Sequence, residues 1–382
     1  MSYDFYVDFQ IEKDNSSKSK VEISELTTGA GKYTEIEDIS SRIALLSTAY
    51  AIKNKLPDRK GRPNKIEPDV YARVGEGDYP SGLKALIHSN GNYNDYMKCK
   101  LSELNLLGIN LPINISSLPK GSWVLEFPIT LKKPFISKDD VPLYIIENPV
   151  RKDKIFNVPF TSATSWKGNL RWTMMKTHLE PKADNPDEFV ETRFKHTLLF
   201  GTEKGMEEVA KGWTEYLDNL CPEAKDKYRN KLKERSGRDE VPSLSGMLYF
   251  YPAFWDRIDM EVINPQDRKT KTGKNPIYYE VVPAGAKGVF RLLYIPFYYI
   301  GKDTKNLKEN VMEDLEMLVD GLKEMMLTYG FSAKKSSGYG VIEDKWDKAE
   351  SRLAIKNFSD TVKFSNFEEL KQEVEKLQEA KE

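Results

Sequence analysis

From Trp123 onward, strand-like and helix-like stretches follow one another in mixed order. Trp123–Leu131 alternates apolar and polar residues as a strand does, and Ser162–Glu180 has helical spacing. A longer helical zone, Asp187–Glu234, is broken near Gly201 and Pro222. Extended runs follow at Gly246–Pro252, Ile258–Ile263, Tyr278–Val282 and Val289–Ile300, then an amphipathic helix over Asn306–Tyr329. The methionines of that helix, Met317, Met325 and Met326, fall on its apolar face and read as core. A doubly wound sheet requires regular strand–helix alternation, which is missing. The order therefore predicts an α+β fold with an antiparallel sheet. Strand, long helix, hairpin region, strand, helix and strand in succession fit a ferredoxin-like split βαβ core carrying insertions.

The first 121 residues read differently. A strand is expected at Tyr3–Ile11, a helix over Thr34–Leu56 capped by Thr34, and helices over Gly82–His88 and Tyr93–Leu107. The basic segment Arg59–Lys65 is Pro/Gly-interrupted and reads as a surface loop, and Gly108–Gly121, with Pro112 and Pro119, as a linker. Short extended runs are expected at Tyr144–Ile146 and Ile155–Val158, and a charged helix at Phe367–Ala380. The expected organisation is thus an N-terminal extension (1–121), a core (122–345) with a helical insertion near 187–236, and a C-terminal strand and helix (346–382).

Composition excludes several classes. Thiols are scarce: Cys99 and Cys221 form no CxxC pair, which excludes a disulfide scaffold or a zinc cluster. The three histidines, His88, His178 and His196, have no HxxxH or HExxH spacing and argue against paired-histidine acid–base chemistry. No apolar run reaches the ~20 residues of a membrane span, and the start MSYDFYVDFQ lacks signal-peptide character, so a cytoplasmic protein is expected. With 58 bases against 59 acids, the chain cannot bind nucleic acid through overall positive charge. The bases nevertheless concentrate at 151–176, 264–274 and 334–335, which predicts a basic groove offset by acidic faces.

Four segments carry chemistry. The loop Ser332–Gly340 (SAKKSSGYG) joins bases, hydroxyls and glycines that allow close approach to phosphate, though an ordinary solvated turn has the same composition. At Thr161–Trp172, Ser162 and Ser165 open a helix whose Lys167 and Arg171 share one face, either an anion site or a capped helix with two exposed bases. Asn264–Pro276, with Arg268, Lys269, Lys271 and Lys274 against Asp267, suits the basic tip of a β-ribbon lying along a nucleic-acid backbone, or a solubilising hairpin tip. Ile136–Asp153 combines Asp139, Asp140, Glu147 and Asp153 with Arg151 and Lys152; such acids can hold Mg²⁺, and such clusters are also commonly just solvated.

Taken in order, these segments resemble the RAMP superfamily, specifically the guide-RNA-binding backbone subunits of type III CRISPR effector complexes. The resemblance runs through Glu147–Asp153, Val158-Pro159, Ser162–Arg171, Leu199-Phe200-Gly201, Asp267–Thr270, Tyr279–Ala286 and Ser336–Gly340, about Trp123 to Ile342 in all. It implies a modified ferredoxin-like or RRM core, with a thumb-like hairpin near 258–290 that wedges into the guide–target duplex. By the same resemblance, Arg151, Lys152, Ser162, Ser165, Lys167, Arg171, Arg268, Lys269, Lys271, Lys334, Lys335, Ser336, Ser337, Gly338, Tyr339 and Gly340 contact RNA. The implied partners are guide CRISPR RNA, target RNA and other subunits of the complex, with no membrane. Target-cleaving members place an aspartate before the x-Pro-Val run, where this chain has Glu147. Glu147 is then the candidate catalytic and metal residue, with Asp139 and Asp140 as alternatives and Mg²⁺ as the cofactor if the chain cleaves. The alternatives are a metal-independent guide-RNA-processing endoribonuclease, disfavoured by the few histidines, and a protein-binding scaffold without RNA chemistry.

Overall fold

The computed structural model describes residues 25–34, 36, 38–54, 82–88, 92–141, 144–206, 211–237, 239–263 and 277–379. In chain order the helices are α1 (Ile39–Asn54), α2 (Gly82–His88), α3 (Asn92–Leu106), α4 (Ala163–Met174), α5 (Pro186–Phe200), α6 (Gly212–Leu220), α7 (Ala224–Ser236), α8 (Thr304–Lys323) and α9 (Phe367–Glu379). The strands are β1 (Trp123–Thr130), β2 (Phe160–Thr161), β3 (Leu248–Phe250), β4 (Ala253–Phe254), β5 (Asp259–Ile263), β6 (Ile277–Val281), β7 (Lys287–Tyr294), β8 (Arg352–Ile355) and β9 (Ser359–Val362). The chain divides into two compact units that interleave in sequence. The first comprises 1–111, 133–160 and 254–287; the second comprises 112–132, 161–253 and 288–382. The contiguous segments read from the sequence therefore do not coincide with the compact units. The strand expected at Tyr3–Ile11, the segment Arg59–Lys65 and the ribbon tip Asn264–Pro276 lie outside the described residues.

In the first unit, α1 begins at Ile39 rather than at Thr34. The Asp38 carboxylate accepts from the Ser41 N–H at 2.9 Å, so Asp38 supplies the cap. The Thr34 hydroxyl instead donates to the Gly31 carbonyl oxygen of the preceding turn. β5 and β6 pair antiparallel from Asp259↔Val281 to Ile263↔Ile277, forming the base of the expected ribbon. The backbone bridge Phe135↔Val282 ties the acid-rich loops to this hairpin, and Lys138↔Val150 and Lys152↔Pro159 join those loops to one another. Two expected extended runs are not strands. Tyr144–Ile146 is not extended but runs into a series of bends. At Asp153 the carboxylate accepts from the N–H groups of Ile155 and Phe156, both at 2.9 Å, and folds that segment into a turn. Asn157 follows in the left-handed region at φ 55°.

The second unit is built on a five-stranded sheet in the order β3-β7-β1-β8-β9. β1 pairs antiparallel with β8, β3 with β7, and β8 with β9, so the α+β expectation of mixed helix and antiparallel sheet holds. Along the chain its elements run β1, α4, β3, β7, α8 and β8. Apolar positions of β1 and β7 stack across the sheet: Trp123 lies on Tyr294 with ring centres 5.0 Å apart, and Phe127 meets Phe290 at 5.4 Å. Trp166 of α4 closes this core edge-on to Phe290 at 5.1 Å. α4 and α8 approach closely because α8 carries Gly321, where a Cβ would fall 2.5 Å from Met174 Cγ. The apolar stripe of α9 (Phe367, Leu370 and Val374) is buried, with α9 packed against α8. Between α4 and β3, helices α5–α7 enclose a core of their own around Met175, Leu179, Phe189, Leu217 and Tyr228.

Candidate nucleic-acid interface

In the second unit, two of the four sequence segments meet. Ser162 caps α4: its backbone is extended and its hydroxyl oxygen accepts from the Ser165 N–H at 3.2 Å. Its hydroxyl also lies within hydrogen-bond distance of those of Thr164 and Ser165, at 2.9 and 2.8 Å. α8 ends in a widened turn, Glu324–Tyr329, and the chain reverses at Gly330, which adopts φ 72°. The loop that follows is pinched shut where the Phe331 N–H donates to the Gly340 carbonyl oxygen at 3.1 Å. At Gly340, φ is 74° and a Cβ would stand 2.6 Å from the Ser332 backbone nitrogen, so only glycine fits without distortion. The loop is fastened to α4 by Asn169, whose amide donates to the Phe331 carbonyl oxygen at 3.3 Å, and by Trp166, whose ring centre lies 4.3 Å from that of Phe331.

Three cations lie on this helix and loop. Lys335 places its ammonium 4.5 Å from the centre of the Trp172 ring, a cation–π contact. Lys167 and Arg171 sit one turn apart on α4. None of the three makes a hydrogen bond or ion pair to an acid among the described residues. Burial pushes the proton affinity of all three side chains down, and at Lys167 the neighbouring Arg171 charge adds to it. The like charges of Lys167 and Arg171 weaken the fold, Glu203 only partly offsetting the burial of Arg171, and an incoming anion would relieve them. Ser336 and Ser337 are exposed beside Lys335, and Gly338, at φ 76°, would present a Cβ to open space. Lys334 adopts the left-handed conformation at φ 59°. Phosphate oxygens match this set of cations and hydroxyls.

In the first unit, the acid-rich loops give a second arrangement. Lys152 turns away from a role at the surface: its ammonium donates to both Glu280 oxygens (2.7 and 2.6 Å) and to the Tyr144 hydroxyl at 2.7 Å. All three of its N–H donors are thereby occupied, inside a pair in which Glu280 is fully buried. Arg151 remains exposed, 5.5 Å from the Phe160 ring centre. Asp139, Asp140 and Glu147 line one concavity of about 240 Å³. Asp139 is paired with Lys154 at 2.7 Å, whereas the Glu147 and Asp140 side chains are exposed. Among the described residues, no group of three His, Cys, Asp or Glu is placed to hold a metal ion. A Mg²⁺ at this concavity would rest on one or two carboxylates together with RNA phosphate, as Mg²⁺ sites in phosphoryl chemistry commonly do.

Arg268, Lys269 and Lys271 lie outside the described residues. Sequence reasoning gave no role to Trp172, Asn169 or Glu280. The only signal for Glu280 was a lone acid in the apolar strand IYYEV, which calls for a buried partner. The histidines are placed structurally: His178 and His196 pack with ring centres 5.9 Å apart, both held toward the neutral form by burial. His88 bonds Asp259 at 2.8 Å. Among the described residues no helix is long and apolar enough to cross a membrane.

An α+β chain with a phosphate-suited junction of helix start and glycine-rich loop matches one family directly. The family model for the RAMP superfamily covers residues 23–343, and the chain belongs to that superfamily. A Streptococcus thermophilus protein described as CRISPR system Cms endoribonuclease Csm3 is 25% identical over 213 residues, spanning 56% of this chain and 80% of that protein. Among solved structures, the type III-B Cmr-beta complex bound to cognate target RNA contains a chain that is 11% identical. The alignment covers 90% of this chain and 99% of that one, with a TM-score of 0.37. A chain of the Csm3-Csm4 subcomplex from a type III-A CRISPR-Cas interference complex is 16% identical over 67% of this chain and 96% of its own, with a TM-score of 0.34.

Proposed function

We infer that this chain is an RNA-binding subunit of a type III CRISPR effector complex, holding guide RNA by its phosphate backbone. The observation that carries the reading is the junction of α4 and the loop Ser332–Gly340, where Asn169 and Trp166 fasten the loop to a helix whose Lys167 and Arg171, like Lys335 of the loop, form no ion pair among the described residues. Membership of the RAMP superfamily and the likeness to Csm3 support the complex it would serve. The element order of the second unit is read as a ferredoxin-like core, the helix start and the loop being its RNA-facing insertions. Backbone contacts fix position without reading bases, so one such subunit would serve guides of any sequence. Guide–target contact is assigned to the ribbon whose base is β5–β6.

The binding test neutralises charge without reversing it: in Lys167→Gln/Lys335→Gln, affinity for single-stranded RNA falls at least tenfold while the thermal midpoint is kept. Unchanged affinity would overturn the reading. Target cleavage is assigned to Glu147, an exposed carboxylate of that loop. Bound Mg²⁺ would supply charge neutralisation at the scissile phosphate, and Glu147 would position it. In the assembled complex, Glu147→Ala should remove Mg²⁺-dependent cuts in a complementary target and leave RNA binding intact. Persisting cuts would place cleavage elsewhere.

A further inference from the structure

The first unit contains a cavity of about 360 Å³, within the range of small-molecule sites (~300–1,000 Å³), that backbone binding does not use. α1 contributes Ser40, Ala44 and Ser47 to its wall, α3 contributes Tyr93 and Tyr96, and the acid-rich loops contribute Tyr144, Asp153 and Asn157. We propose that this cavity is a nucleobase site, taking a planar uncharged heterocycle that donates N–H hydrogen bonds.

Charge argues first. Both lysines that line the cavity are already paired, Lys152 with Glu280 at 2.6 Å and Lys154 with Asp139 at 2.7 Å. Neither is left to hold a phosphate, so the site suits a neutral ligand. Shape argues next. Three phenol rings border the space, and aromatic faces favour a flat ring system. Burial holds Tyr93 and Tyr144 well above their ordinary proton affinity, so both remain uncharged phenols. Polar recognition comes from Asn157. Its amide N–H₂ is oriented by donation to Ser40 Oγ at 3.0 Å, and its carbonyl oxygen makes no hydrogen bond to a described residue. The Ser40 hydroxyl itself shares a hydrogen bond with the Tyr96 hydroxyl at 2.5 Å. The Asp153 turn holds Asn157 in the left-handed region, which asparagine tolerates, and so fixes where its side chain starts. The Asn157 carbonyl oxygen therefore stands ready for the exocyclic amine or ring N–H of a base.

This inference does not depend on the phosphate-binding reading, and the experiment separates the two. Saturation transfer from the purified full chain to millimolar adenosine and cytidine should reach the base protons. Ala44→Trp, which fills the cavity from a half-buried helix position, should abolish that transfer. Asn157→Ala should weaken binding about fivefold, the loss of one hydrogen bond. Lys167→Gln/Lys335→Gln should leave transfer unchanged. No transfer to the wild-type chain, or transfer undiminished in a folded Ala44→Trp, overturns the proposal. If Ala44→Trp does not fold, undiminished binding by Asn157→Ala overturns it. Loss of transfer in Lys167→Gln/Lys335→Gln would assign the base to the second unit and also overturn it. RNA affinity that fails while nucleoside transfer persists would sink only the backbone reading.

Discussion

Arg193 is a fully buried guanidinium held by two carboxylates, Glu203 at 2.7 Å and Asp218 at 2.8 Å, with the Tyr228 ring beneath it at 4.1 Å. Its partners raise its proton affinity despite burial. Arg193→Met would strand the buried Glu203 carboxylate, Asp218 keeping its pair with Arg229 at 2.9 Å, and the expected cost is about 3–5 kcal/mol in a denaturant titration. A change under about 1 kcal/mol would mean that water reaches the network. Asp314 presents the opposite case. Burial, only partly offset by donation from the Tyr294 hydroxyl at 2.7 Å, pushes its carboxyl up to about 6. The folded state then binds the proton more tightly than the unfolded one, so stability rises as pH is lowered from about 7 toward 4. Asp314→Asn should remove that part of the slope, read as the difference between the two proteins' unfolding curves across this range. Neither burial was visible in the sequence, where Arg193 and Asp314 look like any charged residue on an amphipathic helix.

Among the elements, the glycine-rich loop shows how unequal its glycines are. A Cβ at Gly330 would overlap the Tyr339 carbonyl oxygen, and one at Gly340 would press on Ser332, both at positive φ. Gly338 has the same backbone demand but open space around it. Gly340→Ala and Gly330→Ala should therefore distort the loop and lower RNA affinity strongly, whereas Gly338→Ala should cost only the ~1–2 kcal/mol of left-handed strain. Equal losses in binding assays of the three variants would show that the loop's shape is not what holds RNA. Element boundaries were legible wherever a strong stop is written in the chain. Gly201, at φ 86°, closes α5 after Phe200, as the expected break predicted. They were misread where two caps compete, as with Thr34 and Asp38, because only the folded turn decides which oxygen faces the helix.

For the whole molecule, net charge −1 and RNA binding are compatible because electrostatics acts locally. Many bases are neutralised by their own acids: Lys154 by Asp139, Lys195 by Glu313 and Lys176 by Glu180. On the proposed function, those left without acids at the α4 junction would set the salt response. Each phosphate contact removed should lower the slope of log affinity against log salt by about 0.7 for single strands. Lys167→Gln/Lys335→Gln should thus flatten it by about 1.4, measured between low and physiological salt. A slope unaffected by both substitutions would place the phosphates elsewhere. By itself the sequence determined the fold class, the helix start at Ser162, the loop at Ser332–Gly340 and the family, because periodicity, capping residues and glycines are local signals. Only the tertiary structure decided that these two segments meet, that Lys152 is consumed by Glu280, and that Tyr93, Tyr144 and Asn157 surround a cavity. Some charges are consumed by acids more than 100 residues away, Lys152 by Glu280 and Lys195 by Glu313, and no local pattern records those pairs.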